Sequence, residues 1–144
     1  MRPVVLLVAA ILFAAMGLYA LAVPAKPTAP FGIPVTTATG RSEVRAVYGG
    51  FGLAVAGVLG WAALDTGELG RGVVLAVAVA LAGMAAGRVV SRVLDGSVAF
   101  YPIWFYFWVE VVAAAALVAA AGRLRGTGPA AAADGRSCSA TRTG

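Results

Sequence analysis

The chain contains 144 residues, of which 61% are hydrophobic and only 12% are charged, whereas an ordinary soluble domain is roughly 45–50% apolar. A small soluble domain could not bury that much apolar surface, so the composition indicates a protein that uses lipid as part of its solvent. The net charge of +5 does not indicate nucleic-acid binding, because the basic residues stand at segment ends and in the tail rather than in one stripe.

The residue types that most catalytic and metal sites use are scarce in this chain. It has no histidine, the usual general base and commonest metal ligand, and its single cysteine, Cys138, lies in a polar tail. Ser42 and Ser91 have only carboxylates as candidate bases, and no phosphate-binding loop of the Walker type occurs. We therefore expect no enzymatic activity, no metal and no cofactor.

The first apolar segment, residues 4–23, is uncharged and follows Arg2. At about 1.5 Å per residue it is long enough to cross a hydrocarbon core about 30 Å thick. A cleaved signal peptide is the alternative, because small residues such as Ala20 and Ala22 lie near its end, but the run exceeds the roughly 7–15 residues of a signal h-region. We predict an uncleaved membrane helix.

Residues 24–42 contain four prolines, which exclude a helix there and favour an ordered, extended loop at the membrane surface. The second helix is predicted over 43–64. Ser42 is its expected N-cap, and Glu43 lies in the first turn, where the helix dipole favours an anion. Trp61 is expected to anchor the far end at the membrane interface.

The third helix is predicted over 72–94 and has an uncharged first half and a charged end. The fourth is predicted over 102–122, with Pro102 at its first helical position and Glu110 as its one charge. The aromatic run 100–108 is typical of an interfacial belt, or alternatively of a ligand-stacking surface. Residues 123–144 are predicted to form a disordered cytoplasmic tail.

Small residues recur at helical spacing in two places. Gly52, Ala56 and Gly60 form one such row, and Gly83 and Gly87 begin another. Rows of this kind let membrane helices approach closely. We predict that both rows pack the bundle rather than form a dimer interface.

Four spans place both chain ends on one side of the membrane. Six basic residues lie on the same side as the chain ends, namely Arg2, Arg71, Arg123, Arg125, Arg136 and Arg142. Four lie on the other side, namely Lys26, Arg41, Arg45 and Arg92. Because cytoplasmic flanks carry the excess of Lys and Arg, we predict that both termini are cytoplasmic.

This topology brings the start of the second helix, the end of the third and the start of the fourth to the outer face. By helical rise, Arg88 and Glu110 then lie about 9 Å and about 12 Å from their helix ends, at similar depth. Since an unpaired charge at the centre of a span costs about 2.5–3.5 kcal/mol, we predict an Arg88–Glu110 ion pair. Nearer the surface we predict a network of Glu43, Arg45, Arg92 and Asp95, closed by the hydroxyl of Tyr48. The full candidate polar cluster is Arg41, Glu43, Arg45, Tyr48, Arg88, Ser91, Arg92, Asp95 and Glu110.

Several of these residues together resemble a known family. The matching motifs are the run SEVRAVYGG at 42–50, Gly87-Arg88 with Ser91, Asp95-Gly96, and the lone Glu110. They resemble a family of small bacterial four-helix membrane proteins catalogued as a domain of unknown function, over roughly residues 1–122. The resemblance implies a four-span α-helical protein, and a looser similarity to DoxX-like membrane proteins implies the same bundle. It implies no particular reaction.

The sequence therefore predicts an all-α, integral membrane four-helix up-and-down bundle in the bacterial plasma membrane, with one domain over 1–122. The charged cluster is either a structural salt-bridge network or a binding site for a lipid head group, a small anion or a partner protein. Expected partners are the lipid bilayer and a membrane protein or a second copy. A small oligomeric transporter is the alternative function, and a membrane-embedded enzyme is a further one.

Overall fold

The fold consists of four helices that are long and apolar enough to cross a membrane, in a computed structural model that describes residues 1–96 and 99–122. The helices are α1 (Arg2–Ala22), α2 (Ala38–Leu64), α3 (Glu68–Asp95) and α4 (Phe100–Gly122). The described residues contain no strand. The prediction of an all-α membrane bundle is confirmed, whereas the predicted tail over 123–144 lies outside the described residues.

The helices are neighbours in chain order around a ring. Helix α1 packs along α2 and α3 packs along α4, and the two pairs meet through contacts of α2 with α3 and of α1 with α4. Arg2, at the start of α1, binds the end of α2, whereas Arg45, near the start of α2, binds the end of α1. Successive helices therefore run in opposite directions. We call the end with the α1–α2 loop the loop end, and the end where α1 begins and α4 finishes the terminal end.

The bundle interior is filled by apolar side chains. Each helix contributes one large and fully buried residue, namely Leu6, Leu59, Val74 and Leu117. Other large apolar side chains, such as Ile11, are exposed on the outside of the bundle. Such exposed surface is what a lipid-facing helix presents, since lipid tails are as apolar as the side chains.

Helix α2 begins at Ala38 rather than at residue 43. The backbone of Thr37 is extended (φ −91°, ψ 158°), and its Oγ1 accepts a hydrogen bond from the Gly40 N–H at 3.0 Å. The N-cap is therefore Thr37, and the prediction of Ser42 was wrong. Because the helix starts earlier, Glu43 lies outside its first turn and gains less from the positive end of the helix dipole.

Helix α3 also starts earlier than the predicted residue 72. The carboxylate of Asp65 accepts hydrogen bonds from the Gly67 N–H at 3.3 Å and from the Gly70 N–H at 2.8 Å. These bonds satisfy N–H groups that a helix start leaves without intrahelical partners. The helix consequently begins at Glu68.

Helices α1 and α2 cross at close range beside a π-helical turn over Arg45–Gly50. A Cβ atom on Gly17 would lie only 3.0 Å from the Gly49 carbonyl oxygen, and one on Gly52 would lie 3.4 Å from the Gly17 Cα. Gly52 thus packs the bundle as predicted. The prediction was wrong for Gly60, Gly83 and Gly87, where an added Cβ would meet no atom within 4 Å.

Candidate functional site

The most buried charge at the loop end is the carboxylate of Glu110, and it is paired with Arg88. The Nη2 of Arg88 donates to Oε1 at 2.9 Å, and its Nε donates to Oε2 at 3.0 Å and to Oε1 at 3.3 Å. The two side chains are 20% and 6% exposed, respectively. The predicted ion pair is confirmed, and its two-pronged geometry fastens α3 to α4.

Two aromatic rings flank the Arg88 guanidinium. Its Cζ lies 5.9 Å from the ring centroid of Phe31 and 5.8 Å from that of Tyr106. The two rings are themselves 5.5 Å apart, centroid to centroid, at an interplanar angle of 33°. Contacts of a guanidinium with ring faces are favourable because the faces carry negative partial charge. Arg88 is thus held by a carboxylate and by two rings.

The sequence interpretation missed both rings as parts of the site. Tyr106 lies four residues before Glu110, so helical spacing places the two on one face of α4, and this signal could have been read. Phe31 ends a 3-10 turn over Ala29–Phe31 in the loop between α1 and α2. No periodicity exists in that loop, so nothing in the sequence indicates that Phe31 contacts Arg88.

The loop that contains Phe31 is anchored by buried residues. Pro24, Pro27 and Thr28 are buried, although residues around them are exposed. Gly32 adopts a left-handed conformation (φ 69°), and its N–H donates to the Ala29 carbonyl at 3.0 Å, which closes the turn. The prediction of a loop is therefore confirmed over residues 24–37 but was wrong over 38–42, which belong to α2, and the loop contains one short helical turn that the prolines did not predict.

The arginines of the second helix bind backbone carbonyls rather than carboxylates. Arg45 donates from Nε to the Leu21 carbonyl at 3.1 Å, and Arg41 donates from Nη1 to the Thr36 carbonyl at 2.8 Å. Leu21 lies in the last turn of α1, where carbonyls have no intrahelical partner and where the helix dipole favours a cation. Arg45 therefore closes the end of α1.

The other charged residues of the predicted cluster do not form the expected shallow network. Ser91 donates to Asp95 at 2.7 Å, one turn along α3. Among the described residues, the side chains of Glu43 and Arg92 have no hydrogen bond or ion pair, and Tyr48 is 39% exposed without a bond to them. The prediction of this network was wrong. An exposed ion pair contributes only about 0–1 kcal/mol to stability, so hydrogen bonds to nearby carbonyls and to water compete with it.

The charges of the loop end do not cancel. Glu110 neutralises Arg88, and the other charged side chains of this end are Lys26, Arg41, Arg45, Arg92, Glu43 and Asp95, four cations against two anions. Nη1 of Arg88 has no hydrogen-bond partner among the described residues. Arg92 lies four residues after Arg88, so both guanidiniums extend from one face of α3. The site therefore offers donors to an anion.

Residues 1–96 and 99–122 contain no group of three His, Cys, Asp or Glu side chains placed to hold a metal ion.

Residues 2–121 match the model of a family described as a domain of unknown function, DUF4345. The chain belongs to this family. The match confirms the resemblance seen in the sequence, while the looser similarity to DoxX-like proteins stays a prediction. The DUF4345 region covers the Arg88–Glu110 pair and Phe31 and nearly all of the four helices. No curated protein and no solved structure matches the chain.

Proposed function

We propose that this DUF4345 protein is a non-enzymatic, multi-pass protein of the bacterial plasma membrane that binds an anionic group at its loop end. The anionic group is a small anion or the head group of a lipid. The observation that carries the proposal is the geometry of Arg88. Glu110 holds the Nε and Nη2 edge of the guanidinium and leaves Nη1 without a partner in residues 1–96 and 99–122. A donor fixed in this way loses little conformational freedom when a ligand binds.

Arg92 supplies the second cation of the proposed site. It follows Arg88 by one helical turn and has no ion pair among the described residues. Since the planar guanidinium matches phosphate and carboxylate oxygens in pairs, two guanidiniums on one helix face suit such a group better than a spherical halide.

The charge distribution supports an outward-facing loop end. Arg2 and Arg71 lie at the terminal end, and four further arginines follow in the sequence after residue 122. The excess of basic residues near the chain ends favours cytoplasmic termini. The proposed site would then face outward.

The filled interior favours binding over transport. Leu6, Leu59 and Leu117 are fully buried, with Val74, in a layer that closes the bundle interior near the terminal end. A transport path would therefore have to run between several copies of the chain. Catalysis is less favoured because Glu110, the buried carboxylate, is already bound to Arg88 and is not positioned as a free base.

The test measures anion binding to the purified full-length protein in phosphatidylcholine nanodiscs. Inorganic phosphate is titrated in one arm, and phosphatidylglycerol replaces part of the phosphatidylcholine in the other. We expect saturable binding in at least one arm, and Arg92→Gln should weaken it by about tenfold, the loss of about 1.4 kcal/mol. The arm in which Arg92→Gln weakens binding distinguishes a free anion from a lipid head group at the loop end.

The matched control is Arg71→Gln, which removes one arginine from the same helix at the terminal end. It should leave binding at the wild-type level. Equal losses from Arg92→Gln and Arg71→Gln would show a general charge effect, and no saturable binding in either arm would contradict the proposed function.

A further inference from the structure

We infer that the terminal end contains a second site, a groove between α1 and α4 that holds one anionic phospholipid of the bilayer. The groove is a cavity of about 210 Å³. It is lined by Met1, Arg2, Val5, Ala116, Ala119 and Ala120. It lies at the opposite end from Arg88 and Arg92, so it is independent of the site proposed above.

The walls of the groove suit an acyl chain. Three of the lining residues are alanines of α4, whose single methyl groups leave a trough between the two helices, and Val5 lines it from α1. The free energy of an acyl chain is similar in the groove and among other lipids, because both surroundings are equally apolar. The apolar walls therefore accept a lipid, but they do not select one.

Selection for an anionic lipid comes from Arg2, which lines the groove. Its Nη2 donates to the Ala62 carbonyl at 3.0 Å and to the Asp65 carbonyl at 2.9 Å, which fixes the guanidinium in place. No carboxylate among the described residues pairs with it. The carboxylate of Asp65 is itself occupied by the N–H groups of Gly67 and Gly70.

Arg2 therefore keeps its full positive charge beside an apolar trough at the membrane boundary. A phosphodiester with its acyl chains below it has the complementary arrangement, a negative charge above an apolar body. Basic pockets between membrane helices bind anionic head groups in this way. We commit to a phosphatidylglycerol-type lipid rather than a second protein copy, since the groove has a volume of only about 210 Å³ and its one charged side chain is a cation.

The experiment compares two lipids that have the same acyl chains. Full-length protein in neutral detergent is titrated with phosphatidylglycerol or with phosphatidylcholine. Thermal unfolding gives the unfolding temperature, and native mass spectrometry counts the bound lipids. We expect phosphatidylglycerol to bind at the terminal end, in addition to any lipid that the loop end binds, and to raise the unfolding temperature by several degrees, and phosphatidylcholine to do neither.

Two variants test the two halves of the site separately. Arg2→Gln should weaken phosphatidylglycerol binding at this site by at least about tenfold, because it removes the only charged side chain of the groove. Ala119→Leu should abolish binding at this site by filling the trough, while the hydrogen bonds of Arg2 remain. If Arg2→Gln does not fold, because it also loses its bonds to the end of α2, Ala119→Leu still tests the inference.

Matched controls separate this site from the loop end. Ala82→Leu adds the same bulk on an exposed face of α3, and Arg92→Gln removes an arginine from the loop end. Both should bind phosphatidylglycerol at this site as the wild type does. Equal binding of the two lipids, or full binding by Ala119→Leu, would overturn the inference. A change of oligomeric state in Ala119→Leu would identify a second copy as the occupant and would also overturn it.

Discussion

The two ends of the bundle each hold an arginine by two oxygen acceptors, but the acceptors differ. At the loop end, Arg88 binds the carboxylate of Glu110, whose side chain is 6% exposed. At the terminal end, Arg2 binds the backbone carbonyls of Ala62 and Asp65. The first arrangement is neutral and the second keeps a positive charge. A charge inside an apolar span requires a counter-charge, whereas a charge at the end of a span is stabilised by hydrogen bonds alone.

The largest effect is expected when the buried pair at the loop end is broken. Glu110→Ala leaves the Arg88 guanidinium without a counter-charge, and we expect it to lower the free energy of unfolding by about 3–5 kcal/mol. Arg88→Ala should be similarly destabilising, and the double variant should be no worse than either single one. Thermal unfolding of the detergent-solubilised protein measures all three.

Asp95→Ala is the control for this prediction, since it removes an exposed carboxylate from the same end of the bundle. It should unfold near the wild-type temperature. If Glu110→Ala also does so, the buried pair does not stabilise the fold, and the contrast between the two ends is lost.

An intermediate effect is expected at the ring that covers Arg88. Phe31→Ala removes the ring face 5.9 Å from Cζ of Arg88 and the packing of that ring on Tyr106. We expect a loss of about 1–2 kcal/mol in the free energy of unfolding. Protease cleavage within residues 23–37 should also become faster, because the loop loses its anchor on α3 and α4.

Ile33→Ala is the matched change, because Ile33 lies in the same loop and is 56% exposed. Its free energy of unfolding should stay within about 0.5 kcal/mol of the wild type. Equal cleavage rates for the two variants would show that Phe31 does not anchor the loop.

The smallest effect is expected at the terminal end. Asp65→Ala removes the acceptor for the N–H groups of Gly67 and Gly70 but keeps the backbone carbonyl that binds Arg2. Loss of a cap of this kind lowers stability by about 1 kcal/mol. The unfolding midpoint in denaturant measures it.

Glu68→Ala provides the comparison at this end, since that side chain is 84% exposed in its ion pair with Arg71. Its midpoint should be close to that of the wild type. A loss from Asp65→Ala as large as that from Glu110→Ala would show that the terminal end also depends on a buried charge.

The membrane helices and the deep ion pair follow from the sequence because one physical term dominates each. Uncharged runs of sufficient length form helices in lipid, since every backbone polar group must be satisfied internally. Arg88 and Glu110 form a pair because an unpaired charge at that depth has a high free-energy cost. These energies exceed any competing local preference, so the sequence alone predicts the helices and the ion pair.

The other contacts depend on smaller energies that the sequence does not rank. Thr37 and Ser42 are comparable N-cap residues, and only the path of the loop decides between them. Glu43 and Arg92 lie on exposed surfaces, where an ion pair gains little. Arg2 and Arg45 bind carbonyl groups, and every residue has one, so no sequence pattern marks the partner.

The Arg88–Glu110 pair has a consequence for how the chain enters the membrane during synthesis. Inserted alone, α3 would bring an uncompensated guanidinium and α4 an uncompensated carboxylate into the hydrocarbon. Because only a short connection separates the two helices, they can leave the translocon together as a hairpin whose charges are already neutralised. Phe31, made much earlier, then gains its binding surface only after the last helix has been inserted.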